Sequence, residues 1–356
     1  MIDPHVHLRD WNQAEKETVA HGLATAKECG FTHVFDMPNT DPPLTSRETI
    51  LKRFELAKGI TGIEYHIWAG LTADPDQIRE MTEVYRELHP RVVGLKLFLG
   101  QSTGNMGVIR YDDQKLVLKT LTDLDYRGTV AVHAEKESCM HPEKYVKGQF
   151  ETHSEARPPE AEIESVKDIL KIAEETGFQG NIHIAHISTA GAIEVVRQAR
   201  MHQRVTMGVT PHHALFTVED AKDHDRYLKM NPPLREESDR KAVFTALMDG
   251  TADWIESDHA PHTLAQKQAG ASGIPGFYNM LLLIDALSSS RNTSSERQRS
   301  PRPFSDSFTR FRIRSMRGMG GLAGGTLKNE ISETACFCLL AKNFSHFPTK
   351  RATELA

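Results

Sequence analysis

The run Asp3-Pro4-His5-Val6-His7-Leu8-Arg9-Asp10 decides how the rest of this 356-residue chain is read. In a strand, side chains two positions apart share a face, so His5 and His7 point the same way and can grip one metal ion. Arg9, two residues further along, would face the same cavity and suits a carboxylate-bearing ligand. A His-x-His pair also occurs as a plain surface feature, so its meaning depends on what the remaining sequence places beside it.

Outward from that run, strand-like apolar stretches alternate with amphipathic helical ones. Strands are expected near Ile2–Val6, Thr32–Met37, Tyr65–Leu71, Val92–Leu99, Thr129–His133, Ile182–Ile187, Val205–Val209 and Trp254–Ser257. Helical spacing covers Glu15–Cys29, Ser46–Lys58, Ile78–Leu88, Gln114–Asp125, Glu160–Thr176, Thr189–Met201 and Arg240–Met248. Such alternation implies parallel βαβ units. Eight strands match an α/β fold of the (β/α)8 TIM-barrel type, whose active site lies at the C-terminal ends of the strands. A doubly wound open sheet is the alternative, but no Gly-rich phosphate loop follows the first strand.

The polar residues fall at those strand ends. His5 and His7 end the first strand, Asn39 follows the second, and Lys96 lies in the fourth. His133 ends the fifth, His186 ends the sixth, and Asp258 follows the eighth. A barrel would aim all of them into one mouth. Zinc takes imidazole nitrogen and carboxylate oxygen, and six candidate ligands are too many for one tetrahedral ion, so two metals are expected. Lys96 is an unusual member because an ammonium has no lone pair, although its amine can react with CO2 to give a carbamate able to bridge two cations. Its plainer reading is a rim lysine or a partner of Asp258. Within Val93–Leu99 a single charge among apolar residues must be paired or modified.

Bulk properties fit a soluble globular protein: 39% hydrophobic residues, 26% charged, and a net charge of −5. No basic excess argues for nucleic acid, and no apolar stretch of about 20 residues argues for a membrane span. Cys29, Cys139, Cys336 and Cys338 lack metal-ribbon spacing, and no signal-peptide pattern opens the chain, so a reducing, cytoplasmic home is expected. Two regions follow: a barrel over 1–287 and an atypical tail over 288–356. Leu287–Met316 is crowded with Ser and Arg, and a Gly-rich segment follows at Gly318–Gly325. A disordered extension and a shifted reading frame both account for that composition.

Seven blocks resemble the dihydroorotases of the amidohydrolase superfamily, in that family's order. They are 5–10 (His-Val-His-Leu-Arg-Asp), 37–43 (Met-Pro-Asn-Thr-Asp-Pro-Pro), 94–100 (Gly-Leu-Lys-Leu-Phe-Leu-Gly), 133–135 (His-Ala-Glu), 186–189 (His-Ile-Ser-Thr), 231–235 (Asn-Pro-Pro-Leu-Arg) and 258–262 (Asp-His-Ala-Pro-His). The resemblance implies two zinc ions per chain. His5, His7 and Asp258 would hold one, His133 and His186 the other, with carboxylated Lys96 bridging them. It further implies Asp258 as the catalytic proton carrier, and Arg9, Asn39, Asn231, His262, Ser272 and Gly273 as substrate-binding residues. The loop Gly100–Gly107 would be a lid, with a plain turn as its alternative. His212 and His213 are expected behind the site, His259 as a neighbour rather than a ligand, and His183, His141 and His153 as uninvolved.

The implied reaction is reversible cyclisation of N-carbamoyl-L-aspartate to dihydroorotate in pyrimidine synthesis, and the implied partners are this small molecule and either a homodimer or aspartate carbamoyltransferase. Two departures stand out. Many members carry strands before the His-x-His block that join a small sandwich, and the tail has no recognisable family closing segment. The rivals are a related cyclic amidase (a hydantoinase or allantoinase) and a catalytically dead barrel acting as a scaffold for the carbamoyltransferase.

Overall fold

Eight parallel strands follow one another in chain order around one sheet, β1(Ile2–Val6), β2(His33–Asp36), β3(Glu64–Gly70), β4(Val92–Phe98), β5(Thr129–His133), β6(Asn181–Ile184), β7(Val205–Val209) and β8(Trp254–Ile255). The ends are brought together by a parallel bridge between Val6 and His259, reinforced by the His7 N–H to the His259 carbonyl at 2.7 Å. The result is the expected (β/α)8 barrel. This computed structural model describes residues 1–101, 106–149 and 151–294.

Helices return the chain between strands: α1(Val19–Glu28), α2(Arg47–Leu56), α3(Pro75–Leu88), α4(Tyr111–Asp123), α5(Thr152–Ala156), α6(Pro159–Thr176), α7(Ala190–Ala199), α8(Pro211–Leu215), α9(Val218–His224), α10(Glu237–Met248), α11(Leu264–Gln268) and α12(Phe277–Ser294). Local chemistry sets their starts. Ser46 and Thr49 form a reciprocal capping box on α2, and Asp74 caps α3 ahead of Pro75 at its first turn. α1 begins at Val19, later than its periodicity suggests, because Thr18 caps it and the Asp10 carboxylate holds the Val19 N–H at 2.8 Å. The short helices α5, α8, α9 and α11 carry too few turns to show a period, and sequence reading passes over them.

β6 and β8 stop short of the expected Ile187 and Ser257. His186 and Asp258 adopt left-handed backbone angles (φ 39° and 48°), which leave the ladder and turn these side chains off the strand direction. β1 ends at Val6 as expected, and Arg9 reaches the mouth from a turn in which Arg9, Asp10 and Trp11 all have positive φ, rather than by strand alternation.

Chain contacts divide the molecule into Met1–Leu283 and Ile284–Ala356. In the first unit, Phe277, Met280 and Leu283 of α12 are buried, whereas Leu282 is 36% exposed. In the second, the described residues of α12 run to Ser294. The rest of the tail, and residues 102–105 of the expected lid, lie outside the described residues.

One buried ion pair fixes the turn after β1. The Arg53 and Asp36 side chains are both fully buried and meet at 2.6 Å. Asp36 also accepts from the Tyr65 hydroxyl at 2.6 Å and the Leu8 N–H at 2.9 Å, while Arg53 donates to the Arg9 carbonyl at 2.6 Å. Removing one partner leaves an uncompensated buried charge, so Arg53→Met should destabilise the fold by about 3–5 kcal/mol. Urea unfolding of the variant against the wild type measures this, and a loss below about 1 kcal/mol would mean that Asp36 finds other compensation.

Candidate metal centre

The strand ends deliver His5, His7 and Asp258 to one point. His7 Nε2 lies 2.9 Å and His5 Nε2 3.4 Å from the same Asp258 oxygen, and the two imidazole centroids are 5.2 Å apart. One donor atom from each residue falls within 4.8 Å of the others, all three side chains being buried. A second pair lies beside them: His133 Nδ1 faces His186 Nε2 at 3.0 Å, and the His186 ring is 5.3 Å from that of His5. Lys96, in β4 one pleat below the level of His133, is fully buried, and its ammonium has no hydrogen-bond partner among the described residues.

A histidine that donates through one ring nitrogen leaves the other as a lone pair, and here the donating sides point away from the cluster. His7 Nδ1 donates to the Asn39 side-chain oxygen at 2.7 Å. His133 Nε2 donates to Glu135 at 2.9 Å, and Glu135 is held in turn by Arg157 at 2.5 Å. Outer partners of this kind orient metal-binding imidazoles. Buried lone pairs and an orphaned amine would be costly unless something satisfied them. The donor set (four imidazoles, a carboxylate and an amine) fits one or two divalent cations of the zinc type.

Electrostatics point the same way. Burial, and then the Lys96 charge, lowers His5 to about 4, and burial first of all holds His7 and His186 well below the ordinary histidine value. These rings are neutral and ligand-competent at neutral pH. Burial lowers Lys96 to about 8 despite the opposing charges of Glu256 and Asp258, bringing the free amine within reach. Asp258 is raised, again by burial before any other cause.

The chain belongs to the amidohydrolase family. That family's sequence profile matches residues 1–298. Among curated relatives, a dihydroorotase of Thermococcus kodakarensis is 36% identical over 290 residues, covering 80% of this chain and 62% of its own length. One of Methanosarcina acetivorans is 30% identical over 298 residues, covering 80% and 62%. The chain thus spans about three fifths of the length of these relatives. Among solved structures, an L-hydantoinase of Arthrobacter aurescens superposes with a TM-score of 0.70 at 21% identity, covering 78% of this chain and 62% of that one. A dihydroorotase of Saccharomyces cerevisiae in complex with 5-fluoroorotic acid gives 0.65 at 19% identity, covering 83% and 79%. At such identities these structures share the fold.

The remaining expected site residues have the following surroundings. Arg9 is buried, donates to the Pro261 carbonyl at 3.3 Å, and lies 3.4 Å from His262 Nε2. Gly273 sits at φ 128°, which favours glycine, and a β-carbon there would meet the Ala260 carbonyl at 2.7 Å and His262 at 3.0 Å. Ser272 accepts from Lys229 at 2.8 Å. Asn231 accepts from His153 at 2.7 Å, so His153, set aside in the sequence for want of context, buttresses a candidate substrate residue. His259 turns away to Glu17 at 2.9 Å and stacks on Phe277. His213 bonds Thr210 and the Pro232 carbonyl, whereas both nitrogens of the fully buried His212 lack hydrogen bonds among the described residues. Glu135 and Glu256, just past strand ends, and Arg157, between two helices, were missed because a single charged residue carries no mark of its partner.

Burial also holds His153 and His262 near about 3 and His213 near about 4. Their folded values lie below the unfolded value of about 6.5. Their contribution to stability is therefore complete above that pH and is lost as pH falls towards about 4, each at about 1.4 kcal/mol per pH unit. Asp3, raised by burial to about 7, and Asp258, Glu162 and Asp253, also raised, oppose this, but the lowered imidazoles, which in stripped protein include His5, His7, His186 and His212, outnumber them. Urea unfolding of chelator-stripped protein should show stability dropping steeply between pH 6.5 and 5; a flat profile would place these imidazoles in water.

Proposed function

We propose that this chain is a dihydroorotase, opening the cyclic amide of dihydroorotate to N-carbamoyl-L-aspartate and closing it in reverse, within pyrimidine synthesis in the cytoplasm. The observation that carries the reading is the buried Arg9 guanidinium beside His262, a fixed cationic fork at the mouth that holds the histidine cluster. A planar fork matches a carboxylate in a bidentate pair, which an ammonium cannot copy. Dihydroorotate carries such a carboxylate on its ring; hydantoin and allantoin do not. The dihydroorotase names of the sequence relatives support the same choice.

His5, His7 and Asp258 would hold one zinc ion and His133 and His186 a second, with carboxylated Lys96 between them. Bound there, such cations polarise the scissile carbonyl and acidify a water molecule. The chain's own groups supply the rest. The neutral Lys96 amine adds to CO2, forming an N–C bond and losing a proton to give the carbamate. Asp258 accepts the proton of the attacking water and passes it to the departing ring nitrogen, and the reverse path returns it. Arg9, Asn39 and His262 orient the carboxylate and ring polar atoms, while Asn231, Ser272 and Gly273 complete the pocket. Homodimer formation, or association with aspartate carbamoyltransferase, and the assignment of catalysis to 1–287 without help from 288–356, belong to the same proposal.

Elemental analysis of active protein should give two equivalents of metal per chain, and one or fewer overturns the binuclear centre. Carbamate formation needs the free amine, so reactivation of stripped enzyme by zinc at a fixed concentration of dissolved CO2 should be faster at pH 8.5 than at pH 6.5. Lys96→Ala should lose nearly all turnover, and a near-normal rate would leave Lys96 a structural residue. Asp258→Asn should abolish both directions, whereas Arg9→Lys should keep its metal and raise KM at least tenfold, a loss of about 1.4 kcal/mol in binding. An unchanged KM, or turnover of hydantoin or allantoin in place of dihydroorotate, would transfer the assignment to another cyclic amidase.

A further inference from the structure

Just past β8, Glu256 is a carboxylate that the proposed chemistry does not use. It is 1% exposed and lies behind the histidine cluster. One of its oxygens accepts the backbone N–H of His186. The other faces His5 Nδ1 at 3.6 Å, His183 Nε2 at 3.4 Å and the Trp254 indole nitrogen at 3.2 Å. His5 Nδ1 makes no hydrogen bond among the described residues, and Glu256 is the acceptor it faces.

The neighbouring strand makes room for this carboxylate. Gly208 of β7 has no side chain, and a β-carbon there would fall 2.6–2.7 Å from the Glu256 carboxylate atoms. Any larger residue at 208 would drive the group off its position. The His186 backbone is held at φ 39°, and its N–H is satisfied by Glu256 rather than by a strand neighbour.

We propose that Glu256 is a positioning residue for the metal centre, setting His5 with its Nε2 towards Asp258 and pinning the left-handed turn that presents His186. This rests on the reading of the histidine cluster as a metal site. Asn39 and Glu135 each orient one imidazole, but Glu256 touches a ligand of each half, so it ties the two halves together. Gly208 belongs to the same device as the position that admits the carboxylate.

The test compares wild type, Glu256→Gln and Gly208→Ala by zinc affinity in competition with a chromophoric chelator, by the visible spectrum of the cobalt-substituted protein, and by kcat and KM. Glu256→Gln keeps the shape and removes the charge; Gly208→Ala keeps the charge and displaces it. Both should bind zinc roughly 10–100-fold more weakly, with an altered cobalt spectrum and kcat reduced at little change in KM. Should Glu256→Gln fail to fold, Gly208→Ala decides by the same readouts. Zinc affinity within twofold of wild type, with an unchanged cobalt spectrum and only a lower Tm, would overturn the inference and leave Glu256 a packing residue. Wild-type protein that binds no metal would overturn the metal reading and this inference together, which separates the two failures.

Discussion

The fully buried amine of Lys96 is the constraint around which the centre is organised. A parallel barrel buries its strands on both faces, so a charge in β4 cannot reach water. It must be neutralised, paired or modified. Burial pulls the ammonium towards neutrality, and the nearest opposing charges, Glu256 and Asp258, lie across the barrel on the segment after β8. The imidazoles of His5, His7 and His186 crowd the same space and are themselves held neutral. Packing alone would not retain an unsatisfied amine, three uncharged histidines and a raised carboxyl in one interior.

Rigidity at the mouth comes from groups that never enter it. Asp36 and Arg53 lie at the end of β2 and in α2, yet between them they bind the Leu8 N–H and the Arg9 carbonyl, the two ends of the peptide segment that turns Arg9 inward. The same logic recurs at Glu162, which accepts from the backbone and hydroxyl groups of Ser188 and Thr189 and so fixes the connection that follows His186. Left-handed angles at Arg9 and His186 cost conformational energy, and these buried polar anchors hold the segments that carry them in place.

The barrel was legible in the sequence because its signal is repetitive: eight apolar runs, each followed by helical spacing. His5, His7, His133, His186 and Asp258 were legible because residues of metal-ligating type fell at the ends of those runs. What escaped was the second rank. Glu135, Glu256, Arg157 and His153 act through partners distant in the chain, and a single charged letter gives no sign of which distant letter it will meet. The route by which Arg9 reaches the mouth is hidden for a related reason, since β1 ends at Val6 as expected but Arg9, Asp10 and Trp11 take positive φ beyond it. No composition rule marks Arg9, Asp10 and Trp11 as left-handed; tertiary contacts impose it.

Glu256 and Asp258, two residues apart, show how position divides the work of like groups. Burial would raise both. For Glu256 that effect is outweighed by the facing imidazoles, His183 before His5, which hold it well below the ordinary carboxylate range. For Asp258, burial wins. One carboxylate is therefore locked as an anion, a permanent acceptor that can orient a ring but cannot trade protons near neutrality. The other has its affinity for protons raised, which suits the proton carrier proposed above. The left-handed residue Asp258 turns out of the strand to face the mouth, and Glu256 stays behind in the wall. The division of roles follows from that single backbone turn.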